Sequence, residues 1–205
     1  MLTPTTGYDA WGILKQAYVV NAPAFSYVSV GFRNDVLDSA MRRYASIAFP
    51  YGVGPSPPLA GEAVLAGGLR VGGVVSGLII NVTTSDDALR EGMDESYELL
   101  VAGDAASGQP SSLLTAATVW GALRGLESWA QVVQWNSSSG AYLVQHTMVV
   151  DAPRFAFRGV LVDLARHFIP LSQLMAIVDA MCAVKLNVVR GGGRSSRLLH
   201  ALPPT

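Results

Sequence analysis

The 205-residue chain has one cysteine and three histidines, too few for a Cys/His metal cluster. Cys182 has no partner for an internal disulfide, and its apolar neighbours on a predicted helix point to a buried structural thiol. Charge of either sign is scarce. Only 14% of residues are charged, and 14 Lys and Arg against 15 Asp and Glu leave a net charge of −1. That balance gives no reason to expect nucleic acid or another polyanion as a partner. Long hydrophobic runs are missing too. The most apolar stretch, 71–82, is interrupted by Gly72, Gly73, Ser76 and Gly77, so no membrane-spanning helix is predicted. Residues 1–20 hold Asp9 and Trp11-Gly12 but no continuous apolar core, so no signal peptide is visible. Taken literally, the chain stays in the cytosol.

Half of the residues are hydrophobic, enough for a sizeable core. The length suits one domain, or one small domain with a further piece. Residues 24–32 are aromatic and β-branched and predict a strand. Asn34 or Asp35 would cap a helix over 36–49, whose apolar positions Leu37, Ala40, Met41, Tyr44, Ile47 and Ala48 make one face. Residues 50–68 and 103–112 read as loops. Between them, 69–84 reads as one strand with glycine bulges, and Tyr97, Leu99 and Val101 alternate as a second strand. A helix is predicted over 115–133. Its Gly121 and Gly125 share one face and cost about 1 kcal/mol each relative to alanine, so they imply a close approach to a neighbouring element. A turn at 136–140 leads to a strand at 141–150, with His146 a partly buried structural residue. The order β-α-β-β-α-β predicts an α+β domain, a sheet with two helices on one face.

From residue 155 the pattern changes to strand–helix–strand, the parallel βαβ unit of an α/β fold. The boundaries drawn on this basis are 1–150, 151–189 and an irregular tail, 190–205. If 158–164 is a barrel strand, Arg166-His167 lie just past its C-terminal end, the face on which β/α barrels place their active sites. An arginine there presents a fixed fork of donors suited to sugar hydroxyls or a carboxylate. By spacing alone, a structural ion pair between Asp163 and an arginine accounts for the same residues. Pro170 and Ser172 open the next helix, whose apolar stripe runs from Leu174 to Met181 and Cys182, and 185–189 reads as the second barrel strand.

Four segments carry a resemblance. PRFAFRGVLVDLARHFIPLSQLMAIVDAMCAVKLNV, from Pro153, resembles the start of the catalytic domain of the β-N-acetylhexosaminidases, glycoside hydrolase family 20. LDSAMRRYASIAF from Leu37, DESYELLV from Asp94 and TVWGALRGLESWAQVV from Thr118 resemble that family's preceding non-catalytic α+β domain. The resemblance implies an α+β domain followed by a truncated (β/α)8 barrel start. It implies hydrolysis of glycans ending in N-acetylhexosamine by a substrate-assisted route. The acetamido oxygen is the nucleophile, a Glu the acid/base, and an adjacent Asp orients the acetamido group. Arg166 matches the family's sugar-binding arginine, with Arg158 and Asp163 as its structural support. No cofactor or metal is implied, and a lysosomal or secreted glycoprotein is.

The family continues KLNV with His-Trp-His, whereas here RGGGRSSRLLHALPPT follows Val189. The catalytic Asp-Glu pair belongs to a later strand and is absent, so no catalytic residue is assigned and the chain is expected to be inactive alone. Asp94-Glu95 is such a pair by letter but matches the first domain. The alternatives are a non-enzymatic α+β interaction module or an inert gene-fragment product, the tail being an artefact of splicing or gene prediction. Arg190 to Arg194 lacks the Gly-Lys-Ser/Thr ending of a phosphate loop, and His200 carries no inference. Asn81 and Asn136 open glycosylation sequons, the second in a predicted turn. Nothing in the sequence supports a dimer.

Overall fold

The computed structural model describes residues 16–52, 64–65, 69–101, 112–192 and 198–200. Among the described residues, ten strands and two α-helices precede the barrel-like part. In chain order they are β1 (Gln16–Val20), β2 (Ser26–Gly31), α1 (Asp35–Ile47), β3 (Val64–Leu65), β4 (Leu69–Val75), β5 (Gly77–Val82), β6 (Tyr97–Val101), β7 (Ser112–Ala116), α2 (Val119–Val132), β8 (Gln134–Asn136), β9 (Ala141–Gln145) and β10 (Thr147–Asp151). After them come β11 (Gly159–Asp163), α3 (Leu171–Ala183), β12 (Val188–Gly192) and β13 (Leu198–His200). The fold is α+β, followed by the start of a β/α barrel.

Two stretches predicted as single strands are each two. The 69–84 stretch breaks at Ser76 into β4 and β5, and 141–150 breaks at His146 into β9 and β10. The halves belong to different sheets, ordered β3-β4-β1-β9-β8 and β10-β6-β7-β5-β2. At the first corner the pairing is unbroken: Asn21 N–H donates to Val75 O at 2.9 Å and Ser26 N–H to Ser76 O at 3.1 Å. His146 is therefore an exposed corner residue, not a partly buried one. Ser112–Ala116 is also a strand, where a loop end and a helix start were predicted.

Both helices pack on one face of the second sheet. Asn34 Oδ1 accepts the Leu37 N–H at 3.0 Å and Thr118 Oγ1 accepts the Gly121 N–H at 3.2 Å, each capping a helix. Leu37, Ala40, Met41 and Tyr44 of α1 meet Leu123, Leu126 and Trp129 of α2 over Leu78, Ile80, Leu99 and Leu114. Burying each large side chain of this set contributes about 1.5–3 kcal/mol. The close approach implied by Gly121 and Gly125 is present. A Cβ at Gly121 would overlap the Ser96 carbonyl oxygen, and one at Gly125 would overlap Leu114. The opposite sheet face carries an aligned apolar row, Val28, Ile79, Leu113, Leu100 and Met148, with Met148 65% exposed.

β11 and β12 pair in parallel, Gly159 with Val188 through Asp163 with Gly192, and α3 crosses between them. The tail predicted as irregular from residue 190 is not so throughout. Arg190–Gly192 completes β12, and β13 pairs antiparallel with it, Leu199 opposite Val189. A strand edge with unpaired backbone groups recruits what chain is at hand. The predicted second strand, 185–189, begins instead at Val188, because Lys185 has a φ of 59° and forms the turn after α3. Of the apolar positions predicted on α3, Met181 is buried while Met175 is half exposed.

Candidate functional site at the end of the first barrel strand

β11 delivers Asp163 to its C-terminal end, and the chain turns there because the carboxylate holds the amides two and three residues on. Asp163 Oδ1 accepts the N–H of Ala165 at 3.0 Å and of Arg166 at 3.3 Å. Its Oδ2 accepts Arg166 Nε at 2.6 Å. The hydrogen bond from Arg166, joined by those amides, holds the Asp163 carboxyl below its ordinary value. The Arg166 side chain is 83% exposed, so one edge is fixed and the rest of the fork faces outward. His167 and Phe168 beside it are exposed as well.

Arg158 does not support Arg166 directly. It precedes β11 while Arg166 follows it, so the two lie at opposite ends of the strand. Each nitrogen of its fork is engaged: Nη2 on Glu95 Oε2 at 2.6 Å, Nε on Lys185 O at 2.9 Å and Nη1 on Phe155 O at 2.7 Å. Glu95 also takes Arg124 Nε at 2.6 Å and Asn187 Nδ2 at 3.3 Å. Its side chain is 3% exposed. Burial alone would raise the Glu95 carboxyl, but the hydrogen bonds and charges of Arg158 and Arg124 outweigh it and hold the group below its ordinary value. Glu95 is therefore committed as a buried anion between two arginines, with no proton to give. Its neighbour Asp94 is spent on Ser96, whose N–H lies at 2.8 Å.

Two family models match this chain. One, described as beta-acetyl hexosaminidase like, covers residues 10–132. The other, the catalytic domain of glycosyl hydrolase family 20, covers residues 155–190. The chain is a member of glycoside hydrolase family 20. Beta-hexosaminidase subunit alpha of Mus musculus is 36% identical over 155 residues, which are 75% of this chain and 27% of that protein. Beta-hexosaminidase subunit beta of Homo sapiens is 34% identical over 157 residues, 75% of this chain and 26% of that one. The chain thus spans about a quarter of the length of these relatives. Its fold is similar to part of a chitobiase from Flavobacterium johnsoniae, with a TM-score of 0.64 at 23% identity over 85% of this chain and 24% of the other. It also matches a family 20 β-N-acetylhexosaminidase from Streptomyces coelicolor, at 0.55 and 18% over 86% and 31%.

Within this family 20 chain the structure brings Asp163 to Arg166 and keeps Arg158 with Glu95. Glu95 was excluded as an acid from its place in the sequence, but its structural role was not foreseen. The only sequence-level signal was a Glu beside an apolar strand start, with an arginine at Arg124 on the facing helix. Asn81 lies in β5, an inner strand, opposite Val30 and Thr115. Asn136 closes β8, and its Oδ1 accepts the Ser139 N–H at 3.0 Å. Cys182 is half-buried beside Tyr44 and Trp120, and burial pushes its thiol up. Gly193 and Arg194 lie outside the described residues. No helix among the described residues is long and apolar enough to cross a membrane.

Proposed function

We propose that the chain carries the opening portion of a β-N-acetylhexosaminidase, an enzyme that removes terminal N-acetylhexosamine from glycans with the acetamido oxygen as nucleophile. The observation that carries this reading is Arg166, at the C-terminal end of β11 within the segment that matches the catalytic domain. In this role its guanidinium donates to hydroxyls of the terminal sugar, and Asp163 fixes its angle through Nε. Arg158 acts at a distance, by fixing the base of the same strand. Residues 1–150 form the scaffold unit and 151–189 the first barrel section. The acid/base Glu and the orienting Asp come from outside these 205 residues. The animal hexosaminidase relatives support a lysosomal or secreted location, where Asn136, at the end of the edge strand β8, is the site for a glycan rather than Asn81 on the inner strand β5.

The test joins residues 1–189 to the remainder of the catalytic domain of the mouse subunit alpha. The chimera is expected to hydrolyse a chromogenic N-acetylglucosaminide. Arg166→Ala in it should raise KM and lower kcat/KM about ten- to hundredfold, as loss of a charge-assisted hydrogen bond does. A folded chimera without turnover would favour a non-catalytic α+β module, and near-normal kinetics in the variant would remove Arg166 from the sugar site.

A further inference from the structure

Lys185 is the one residue other than glycine with a positive φ among the described residues, at 59°. It closes α3: its N–H donates to Cys182 O at 3.1 Å and the Leu186 N–H to Met181 O at 2.9 Å. Glycine normally fills such a left-handed helix end, because a Cβ is disfavoured there. The lysine side chain supplies a reason for the exception. An ammonium has three donors, and all three are placed. Nζ lies 2.7 Å from Tyr97 Oη, 2.8 Å from Ser128 Oγ and 3.0 Å from Asp151 Oδ2. It also stands 4.8 Å from the centroid of the Tyr97 ring. The acceptors come from three elements of the scaffold, β6, α2 and the end of β10. They are tied to one another, Tyr97 Oη to Ser128 Oγ at 2.6 Å and to Asp151 Oδ2 at 2.9 Å.

The same turn makes a second contact with the scaffold. Asn187, two residues on, reaches Glu95, which is two residues before Tyr97. Two polar residues that bracket Leu186 thus grip two that bracket Ser96, and β12 begins immediately afterwards. We propose that Lys185 is a positioning residue, a pin whose left-handed turn aims its ammonium into the Tyr97–Ser128–Asp151 acceptor set. With Asn187, it sets where the second barrel strand starts against the scaffold. A serine and a lysine this close invite a nucleophile reading. The geometry argues against it, because Nζ is held as a donor by Tyr97 Oη and Asp151 Oδ2 as well as by Ser128 Oγ. The inference concerns the assembly of the chain and stands whether or not the glycosidase reading holds.

The test is amide hydrogen exchange on the full 205-residue chain, comparing wild type, Lys185→Gly and Ser128→Ala. Lys185→Gly keeps the turn and relieves its strain while removing the ammonium. If the residue only fills a turn, protection of 184–189 should stay level or rise. The pin predicts a fall of about tenfold or more there, as expected for lost charge-assisted hydrogen bonds, with α2 protection unchanged. Ser128→Ala removes one acceptor and places a better helix former in α2. It should lower protection of 184–189 in the wild-type background and have no further effect beside Lys185→Gly. Should Lys185→Gly unfold the whole chain, Ser128→Ala decides alone. Wild-type protection of 184–189 in the folded variants overturns the proposal.

Discussion

Arg158 and Glu95 are 63 positions apart in the chain and 2.6 Å apart in the structure. The arginine opens the first barrel strand, and the glutamate sits at the entry to β6 of the scaffold. Their pairing, with Arg124 and Asn187 around the same carboxylate, docks one part of the chain on the other. The side chains are 15% and 3% exposed, so water does little to screen the pair.

Replacing Glu95 should accordingly be severe. Glu95→Gln preserves size but leaves two largely buried arginines without a counter-charge. Removing one partner of a buried pair costs about 3–5 kcal/mol, and we expect a loss of that order in urea unfolding. Asp163→Asn, whose arginine is mostly in water, should change stability by less than about 1 kcal/mol. Equal effects of the two would contradict the assignment of Glu95 as the docking anion.

Acid should release the barrel section from the scaffold. The Glu95 and Asp151 carboxyls both lie below their ordinary values of 4.5 and 3.8. Burial alone would raise each; the arginines at Glu95, and Lys185 with Tyr97 at Asp151, overcome it. A depressed carboxyl stabilises the fold above its unfolded pKa, and that contribution is lost as the pH falls through the folded one. Docking should hold at pH 5 and weaken below about pH 4, with Glu95 dominating because Asp151 is more exposed. Residues 152–157 are exposed and outside regular structure, an open site for protease. A chain nicked there should stay associated at pH 7 and separate on gel filtration at about pH 3. Dissociation at neutral pH would show the contacts to be weak.

Gly121 and Gly125 should differ in their tolerance of alanine. At Gly121 the obstacle is the backbone carbonyl of Ser96, which cannot turn aside. At Gly125 it is the side chain of Leu114, which has other rotamers. Overpacking costs about 1–3 kcal/mol, and alanine returns about 1 kcal/mol of helix propensity. Gly121→Ala should therefore lower the thermal midpoint clearly, and Gly125→Ala only slightly. The reverse order would mean that α2 does not sit on β6 as described.

These residues mark what can be read from a sequence and what cannot. The apolar stripe of α2, its close-packed glycines and the change to strand–helix–strand after residue 155 are local patterns, and local patterns are legible. The sheet corners at Ser76 and His146 were missed because alternation continues across them, so the period of two never reports that the strand has changed sheets. β7 was missed because SLLTA runs straight into the apolar stripe of α2. The position of Arg166 just past β11 was legible through its offset from a strand end. Glu95 and Lys185 were not, since their partners lie 29 to 92 positions away and pairing at that distance leaves no periodic trace. One signal for Lys185 was present: a lysine where a helix end before a strand usually carries glycine.

The most direct measurement is turnover of a chromogenic N-acetylglucosaminide by purified chain 1–205. The carboxylate beside Arg166, Asp163, accepts its Nε and two backbone amides and is held below its ordinary value, so it has no proton for a leaving group, and Asp94 and Glu95 are committed elsewhere. Loss of acid/base chemistry alone removes about 10²–10⁴-fold in rate. The account predicts release at the rate of the enzyme-free blank from pH 4 to 7. Release that scales with chain concentration and disappears in Arg166→Ala would contradict it, and would require an acid within these 205 residues.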